Sequence, residues 1–392
     1  MANKILPQGY KESPLGIIPK EWEVKRLGEI CTFLDSQRIP IKDADRGKMQ
    51  GKYPYYGASG IIDYVNDYIF DDDLILLGED GANIIMRSTP LAFLVSGKVW
   101  INNHAHVLKT KSGFSRYYVC NYLESLSYDK YNTGTAQPKL NREVCEKIPV
   151  LLPPKKEQNR LSELFTTWDT AIEKQSELVE KLKLRKRALM QQLLTGKKRL
   201  PGFCGEWKEV KLGDVFDERN ETNRDDLPLL SITGDKGVIY QSDSDKRDIS
   251  NDDKSKYKRI CPNDIGYNTM RMWQGRSALS ELEGIVSPAY TIVTPRENVN
   301  VRFMAMLIQQ PRVVYDFWTH SQGLVSDTLN CKYPDFCQVK VRIPTKQEQK
   351  AIASVLVKAD KEIELAKEKL SSLKSQKRGL MQQLLTGKKR IK

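Results

Sequence analysis

The eleven residues LMQQLLTGKKR occur twice in this chain, at residues 189–199 and 380–390. A repeat of this kind limits the possible architecture more than composition does, because each copy has the same surface to bury. The copies extend beyond the eleven residues. At a constant offset of 191 they align without gaps from about Pro153 and Pro344 onward, with Glu157-Gln158 on Glu348-Gln349, Asp169 on Asp360 and Leu182-Lys183 on Leu373-Lys374. A second repeat, at an offset of 185, matches Trp22…Leu27-Gly28 to Trp207…Leu212-Gly213. The chain is two half-chains in tandem. Each has a short Trp…Leu-Gly segment, a long stretch of its own, and a shared segment ending in Thr-Gly-Lys-Lys.

The shared segment has a heptad seam. Alternate steps of four and three give Leu161, Phe165, Trp168, Ile172, Gln175, Val179, Leu182, Lys186, Leu189 and Leu193 in the first copy. The second copy gives Ile352, Leu356, Ala359, Ile363, Ala366, Leu370, Leu373, Lys377, Leu380 and Leu384, with its lysine in the same slot. An apolar period of 3.5 residues held over about five heptads predicts a coiled coil. Thr345-x-x-Glu348 and Pro153-Pro154 mark helix starts, and Gly196 and Gly387 sit where a left-handed C-cap is needed. Each helix should be roughly 55 Å long at 1.5 Å per residue. The simplest partner for one stripe is the other, so the two helices are expected to pair antiparallel within the chain.

The stretches between the helices read as mixed α/β. Strands are expected at 74–77, 91–95, 99–101, 238–240 and 290–293, and helices at 117–126 and 301–308. The expected fold class is α/β (α+β), with two globular domains separated by two long antiparallel coiled-coil helices and an internal pseudo-two-fold tandem repeat. Its segments are 1–152 (first domain with an N-terminal arm), 153–200 (central helix), 201–342 (second domain) and 343–392 (C-terminal helix).

The net charge of +13 points to a polyanionic partner, and its distribution refines this. Segments 151–200 and 342–392 carry +6 and +9, whereas 31–150 is neutral and 201–341 carries −3. DNA contact by the domains would therefore rest on local patches. No apolar run is long enough for a transmembrane helix, and the N-terminus lacks the apolar core of a secretory signal. The seven cysteines are scattered without a CxxC pair, which argues against a zinc finger or a disulfide scaffold and fits a cytoplasmic location.

A search for catalytic signatures leaves none. Gly78-Glu79-Asp80-Gly81 is not a phosphate loop, and Thr195-Gly196-Lys197 lacks the upstream glycine of a Walker A motif. No Asn-Pro-Pro-Tyr or Asp-Pro-Pro-Tyr motif is present. His104-Ala105-His106 is a weak metal pattern, and no metal site is assigned. The residues that do stand out are of the types that read bases: Asn and Gln pair with adenine, and Arg or Lys with guanine. The first domain offers Lys52, Tyr55, Tyr56, Arg87, Lys98, Trp100, Asn102, Asn103 and His104. The second offers Asn268, Arg271, Met272, Trp273, Gln274 and Arg276.

These elements together resemble the specificity subunits of type I restriction-modification systems. The likeness runs through Pro19-Lys20-Glu21-Trp22, Gly134-Thr135-Ala136-Gln137-Pro138-Lys139-Leu140-Asn141, Glu157-Gln158, the segment ending Thr195-Gly196-Lys197-Lys198, and Pro201-Gly202-Phe203 opening the second half. Lys98-Val99-Trp100-Ile101-Asn102-Asn103-His104 and Glu283-Gly284-Ile285-Val286-Ser287-Pro288 add to it. The resemblance implies a non-catalytic subunit whose two target recognition domains each read one half of a split DNA site. It implies helices that set the spacing and dock two methyltransferase subunits, with restriction/translocase subunits joining them. Double-stranded DNA is the implied ligand and no membrane is involved. S-adenosylmethionine, ATP and Mg would be used by the partner subunits, with no cofactor bound by this chain. The competing expectation is a coiled-coil adaptor that presents two dissimilar domains to protein partners.

Overall fold

The computed structural model describes residues 6–234, 236–244, 250–323 and 329–391. The chain forms two compact units: residues 1–176 with 368–392, and residues 177–367. Each contains one globular domain and half of each long helix. The helices, Lys155–Leu193 and Lys346–Leu384, are 39 residues each.

In the first unit a six-stranded sheet runs in the order Cys31–Phe33, Ala105–Thr110, Phe70–Gly78, Ala92–Ile101, Gln50–Gly57 and Gly60–Val65. All neighbours are antiparallel except the fourth and fifth strands. The strands expected at 91–95 and 99–101 are one strand, because glycine at position 97 lets the chain take φ +75° opposite Asp72 and continue. Helix Arg116–Ser125 packs on the sheet, and its N-terminus is capped by the Ser115 hydroxyl. The N-terminal arm returns to the domain: Glu23–Arg26 pairs antiparallel with Pro149–Leu152.

The second unit has a four-stranded antiparallel sheet in the order Phe216–Arg219, Tyr290–Pro295, Ile265–Asn268 and Ser277–Leu279. Lys208–Lys211 pairs with Lys340–Ile343, matching the arm pairing in the first unit. The expected helix at 301–308 is Val301–Leu307. Helices Pro311–His320 and Tyr333–Gln338 were not expected from sequence.

Within each unit the start of one long helix packs beside the end of the other, so the helices are antiparallel. Leu161 and Phe165 share a core with Met381, Leu384 and Leu385, and Leu193 and Leu194 share one with Ile352 and Leu356. Every residue of the expected seam is buried or half-buried. The lysine slot is explained by its neighbours. The Lys186 ammonium meets Asp360 at 2.5 Å, and Lys377 meets Asp169 at 2.6 Å. These are the same contact in each unit, made by equivalent residues of the repeat. A charge at this position fixes helix register at some expense in stability.

The repeated end of each helix closes on the start of the other. Gly387 and Gly196 have φ +71° and +69°, a left-handed turn that glycine adopts without steric cost. This turn carries Arg390 and Arg199 back to a buried carboxylate. Arg390 donates to Glu157 at 2.8 and 3.2 Å, and Arg199 to Glu348 at 2.6 and 2.7 Å. Glu157 also accepts the indole N–H of Trp22 at 3.1 Å, whereas the equivalent Trp207 N–H is buried without a partner among the described residues. The adjacent glutamines tie the helices to their domains. Gln158 accepts the N–H of Ser115 and donates to the Pro153 carbonyl, and Gln349 does the same with Asn300 and Pro344. Ser115 and Asn300 are the capping residues of the two domain helices.

Candidate nucleic-acid interface

In the first domain the sequence candidates divide into core and surface. Four of them are corrected by the structure. Tyr55 is buried, and its hydroxyl accepts the N–H of Ile41. Trp100 is buried, with its indole N–H on the Ile39 carbonyl at 2.6 Å. Asn102 is buried and shapes the next turn by accepting the N–H of His104. Arg87, in a left-handed conformation, is committed to the carboxylate and the carbonyl of Glu124. Burial withdraws Tyr55, Trp100 and Asn102 from the surface, and Arg87 is held by Glu124 with its Nη1 buried.

The remaining candidates lie at the surface in two places. Lys52 sits 5.3 Å from the Tyr53 ring centroid, Tyr53 lies 5.1 Å from Tyr68, and Lys98 sits 4.7 Å from Tyr68. A hydrogen bond to Tyr68 raises the Lys98 pKa, so the ammonium stays charged. The result is a cation–aromatic ladder built from three strands or their edges. Half-buried Tyr56 packs nearby in the same strand as Tyr53, against Phe93. The second place is the turn before Ala105–Thr110, where Asn103 and His104 are exposed and His104 bonds Asp80 at 2.8 Å.

The group that holds this turn is His106, visible in the sequence only as half of the weak His104-Ala105-His106 pattern. His106 is buried, with Nδ1 2.7 Å from Asp35 and Nε2 2.7 Å from the Leu140 carbonyl. Burial alone would depress its pKa. The hydrogen bond to Asp35, with that carboxylate's charge, and the neighbouring Cys145 outweigh burial and raise it to about 10. Both ring nitrogens therefore donate. Burial would raise Asp35, but the bond from His106, that from the Val107 N–H and the Arg38 charge hold it low. Arg38 bridges Glu79 and the Ala105 carbonyl, each at 2.7 Å. Glu79 in turn accepts the N–H of Leu140 on its carbonyl and donates its own N–H to His104. The network thus ties the 137–141 segment to the Asn103–His104 turn. His104 and His106 do not converge, and no group of three metal-ligating side chains occurs among the described residues.

In the second domain the candidates form one loop. Asn268 ends a strand, Met272–Gln274 makes a 3-10 turn, and Gly275 closes it. The Arg271 carbonyl accepts the N–H groups of Gln274 and Arg276. Met272 is the fifth correction: it is fully buried and anchors the loop from beneath. Half-buried Trp273 holds the Met270 carbonyl. Asn268, Arg271, Gln274 and Arg276 line one cleft of about 500 Å³, together with Lys236 and Tyr290. None of the described lining residues is acidic. This is a cationic concavity on a domain whose segment carries net negative charge.

The family model described as the type I restriction modification DNA specificity domain matches this chain twice, over residues 19–183 and 205–375. The chain belongs to that family. It is a DNA sequence-specificity protein with two target recognition domains. A Methanocaldococcus jannaschii type I restriction enzyme specificity subunit, MjaVIII, is 24% identical over 440 aligned positions that cover 99% of both chains. A Haemophilus influenzae relative bearing a type I specificity-subunit name is 30% identical over 145 residues, only 37% of each chain. The solved S subunit from M. genitalium shares the fold, with a TM-score of 0.58 and 12% identity over 92% of this chain and 95% of that one. A structure reported for complex assembly and conformational transition of the type I R-M system aligns with a TM-score of 0.54 and 15% identity over 94% of this chain and 99% of that chain. Among the described residues no helix is long and apolar enough to cross a membrane.

Proposed function

We propose that each recognition domain of this specificity subunit reads one half of an asymmetric, split DNA sequence for a type I restriction-modification complex. The observation that carries the proposal is the contrast within the repeat. The helix ends and their Arg–Glu closures are equivalent in the two units, while the two candidate reading surfaces have nothing in common. Equivalent ends suit two copies of one methyltransferase subunit, and dissimilar surfaces suit two different half-sites. The chain itself supplies no catalytic centre. S-adenosylmethionine, ATP and Mg belong to the methyltransferase and to the restriction/translocase subunits, and the assembly works in the cytoplasm.

The helices pass from one unit into the other, and their length sets the number of base pairs between half-sites. Deleting four residues, one turn, from a helix alters that number and leaves the bases unchanged. A changed base motif at constant spacing would refute this. The recognition domains carry no positive surplus, so the isolated subunit binds DNA weakly at physiological salt and gains affinity when methyltransferase closes on the duplex. Tight binding by the purified chain alone would refute that part.

The deciding experiment co-expresses the chain with its neighbouring methyltransferase in a methylation-free host and maps modified adenines. A split motif with a methylated adenine in each half, lost with this gene, supports the reading. An assembled complex without methylation refutes it, and failure to assemble favours the adaptor.

A further inference from the structure

We propose that Arg271 and Arg276 read guanine in the half-site of the second recognition domain. This deepens the specificity reading above and rests on it. Of the described arginines of that domain, Arg312 is exposed on helix Pro311–His320, outside the cleft, and Arg342 donates to the Trp207 carbonyl. Arg219, Arg224, Arg259, Arg296 and Arg302 are each held in an ion pair. Arg271 and Arg276 are exposed, and neither side chain has a hydrogen-bond or ion-pair partner among the described residues. Both project from one short loop into the same cleft, beside the side chains of Gln274 and Asn268.

The loop is preorganised. Buried Met272 anchors it, Trp273 bonds back to Met270, and Gly275 (φ +73°) closes the turn by donating its N–H to the Met272 carbonyl. Position 234 is shaped to one of the two guanidinium groups: a Cβ there would lie 2.2 Å from Arg276 Nη1. A free guanidinium on a fixed loop, in a concave site whose described lining carries neutral amides and no carboxylate, has the donor fork that fits O6 and N7 of guanine. An arginine that only met phosphate would need neither the cleft nor the amides. In the first domain Arg38, Arg46, Arg87, Arg116 and Arg142 are paired, exposed Arg26 lies in the arm strand that pairs with Pro149–Leu152, and the cations of the candidate surface, Lys52 and Lys98, sit on tyrosine rings.

The test uses the methyltransferase complex and a genome-wide methylation map. For the wild type, the half-motif read by the second domain contains at least one guanine. Arg271→Ala or Arg276→Ala relaxes discrimination at one guanine position by roughly 10- to 100-fold and leaves the other half-motif unchanged. Arg271→Lys and Arg276→Lys keep the charge but lose the two-pronged geometry, so they relax the same position. Gly234→Ala displaces the Arg276 guanidinium without removing it and weakens reading at that position only. A split motif whose relevant half lacks guanine overturns the proposal while leaving the specificity reading intact. An even loss at all sites that lysine restores also overturns it, since that marks a phosphate contact. An alanine variant with unchanged discrimination does the same. The wild-type complex failing to methylate any motif would instead sink the specificity reading itself.

Discussion

The buried His106–Asp35 pair makes folding of the first domain depend on pH in a direction that can be worked out. The His106 side chain is 1% exposed and lies 2.7 Å from Asp35, and its pKa rises from 6.5 to about 10. At about 1.4 kcal/mol per tenfold change in proton affinity, this amounts to ~5 kcal/mol at most. The folded state binds this proton more tightly than the unfolded chain. The contribution is therefore complete below pH 6.5 and is lost as the pH rises toward 10, at about 1.4 kcal/mol per pH unit. Asp35 acts at the other end: its pKa is held below 3.8, so its contribution is present above that value and lost as the pH falls beneath it. His106→Gln keeps a donor for the Leu140 carbonyl and removes the charge. The stability difference between wild type and variant, from denaturant midpoints, should be largest near pH 6 and shrink steadily to pH 9.5. A direct readout is available, because the chain has only three histidines and His104→Gln and His320→Gln assign the other two. An imidazole resonance for His106 that titrates near 6.5, or a difference equal at pH 6 and pH 9, would refute the reasoning.

Other consequences follow from the repeat. Gln158→Ala and Gln349→Ala each strip a half-buried backbone N–H and a buried carbonyl of their partners, and each should lower stability by about 1–3 kcal/mol in chemical denaturation. A near-zero cost would show that these bonds are dispensable. Gly387→Ala should destabilise more than Gly196→Ala, although both force a side chain into the left-handed region at about 1–2 kcal/mol. A Cβ at 387 meets Pro19 Cδ at 2.6 Å, while one at 196 meets Trp207 at 3.3 Å; equal thermal shifts would contradict this. Replacing Lys186 and Lys377 together by leucine should raise the melting midpoint, because a half-buried charge leaves the seam while both aspartates stay solvated. A lower midpoint would refute their role as register devices that cost stability.

The helices were legible in the sequence because a heptad seam is a local pattern, readable one turn at a time. The closures were not. Arg390 and Glu157 are 233 residues apart, and Arg199 and Glu348 are 149 apart. Nothing in either neighbourhood says that the last residue of one repeat meets the first turn of the other. The recognition surfaces were half legible for a different reason. Tyr53, Tyr55 and Tyr56 are chemically alike, but irregular pairing with Gly60–Val65 at both Gln50/Tyr53 and Tyr55/Tyr56 breaks strict alternation along the strand. Tyr55 goes into the core and Tyr53 joins the ladder. His106 was visible only as half of a weak metal pattern, because its partners Asp35 and Leu140 come from distant segments. In the second domain the loop candidates fell together because they are contiguous, and only Met272 pointed inward.

The identity of the two copies goes further than the fold requires. The closure uses the glycine for its turn, the threonine hydroxyl to cap the Gln191 and Gln382 carbonyls, and the arginine to reach its glutamate. It does not use the side chains of Gln191, Gln192, Lys197 and Lys198, or those of Gln382, Gln383, Lys388 and Lys389, which are exposed and make no bond among the described residues. Packing would tolerate many residues at these eight positions, yet the copies agree at all of them, while the domains they adjoin have diverged. Sameness at solvent-facing positions is what two identical partners would impose. If two copies of one methyltransferase subunit dock there, Lys197→Glu with Lys198→Glu should weaken one site and leave the other, because the second pair of lysines is untouched. The mass of the assembled complex would then fall from two methyltransferase subunits per chain to one, with secondary structure unchanged. Substituting all four lysines should abolish both sites. Two subunits still bound to the fourfold variant would mean that the identical surface serves some purpose other than docking.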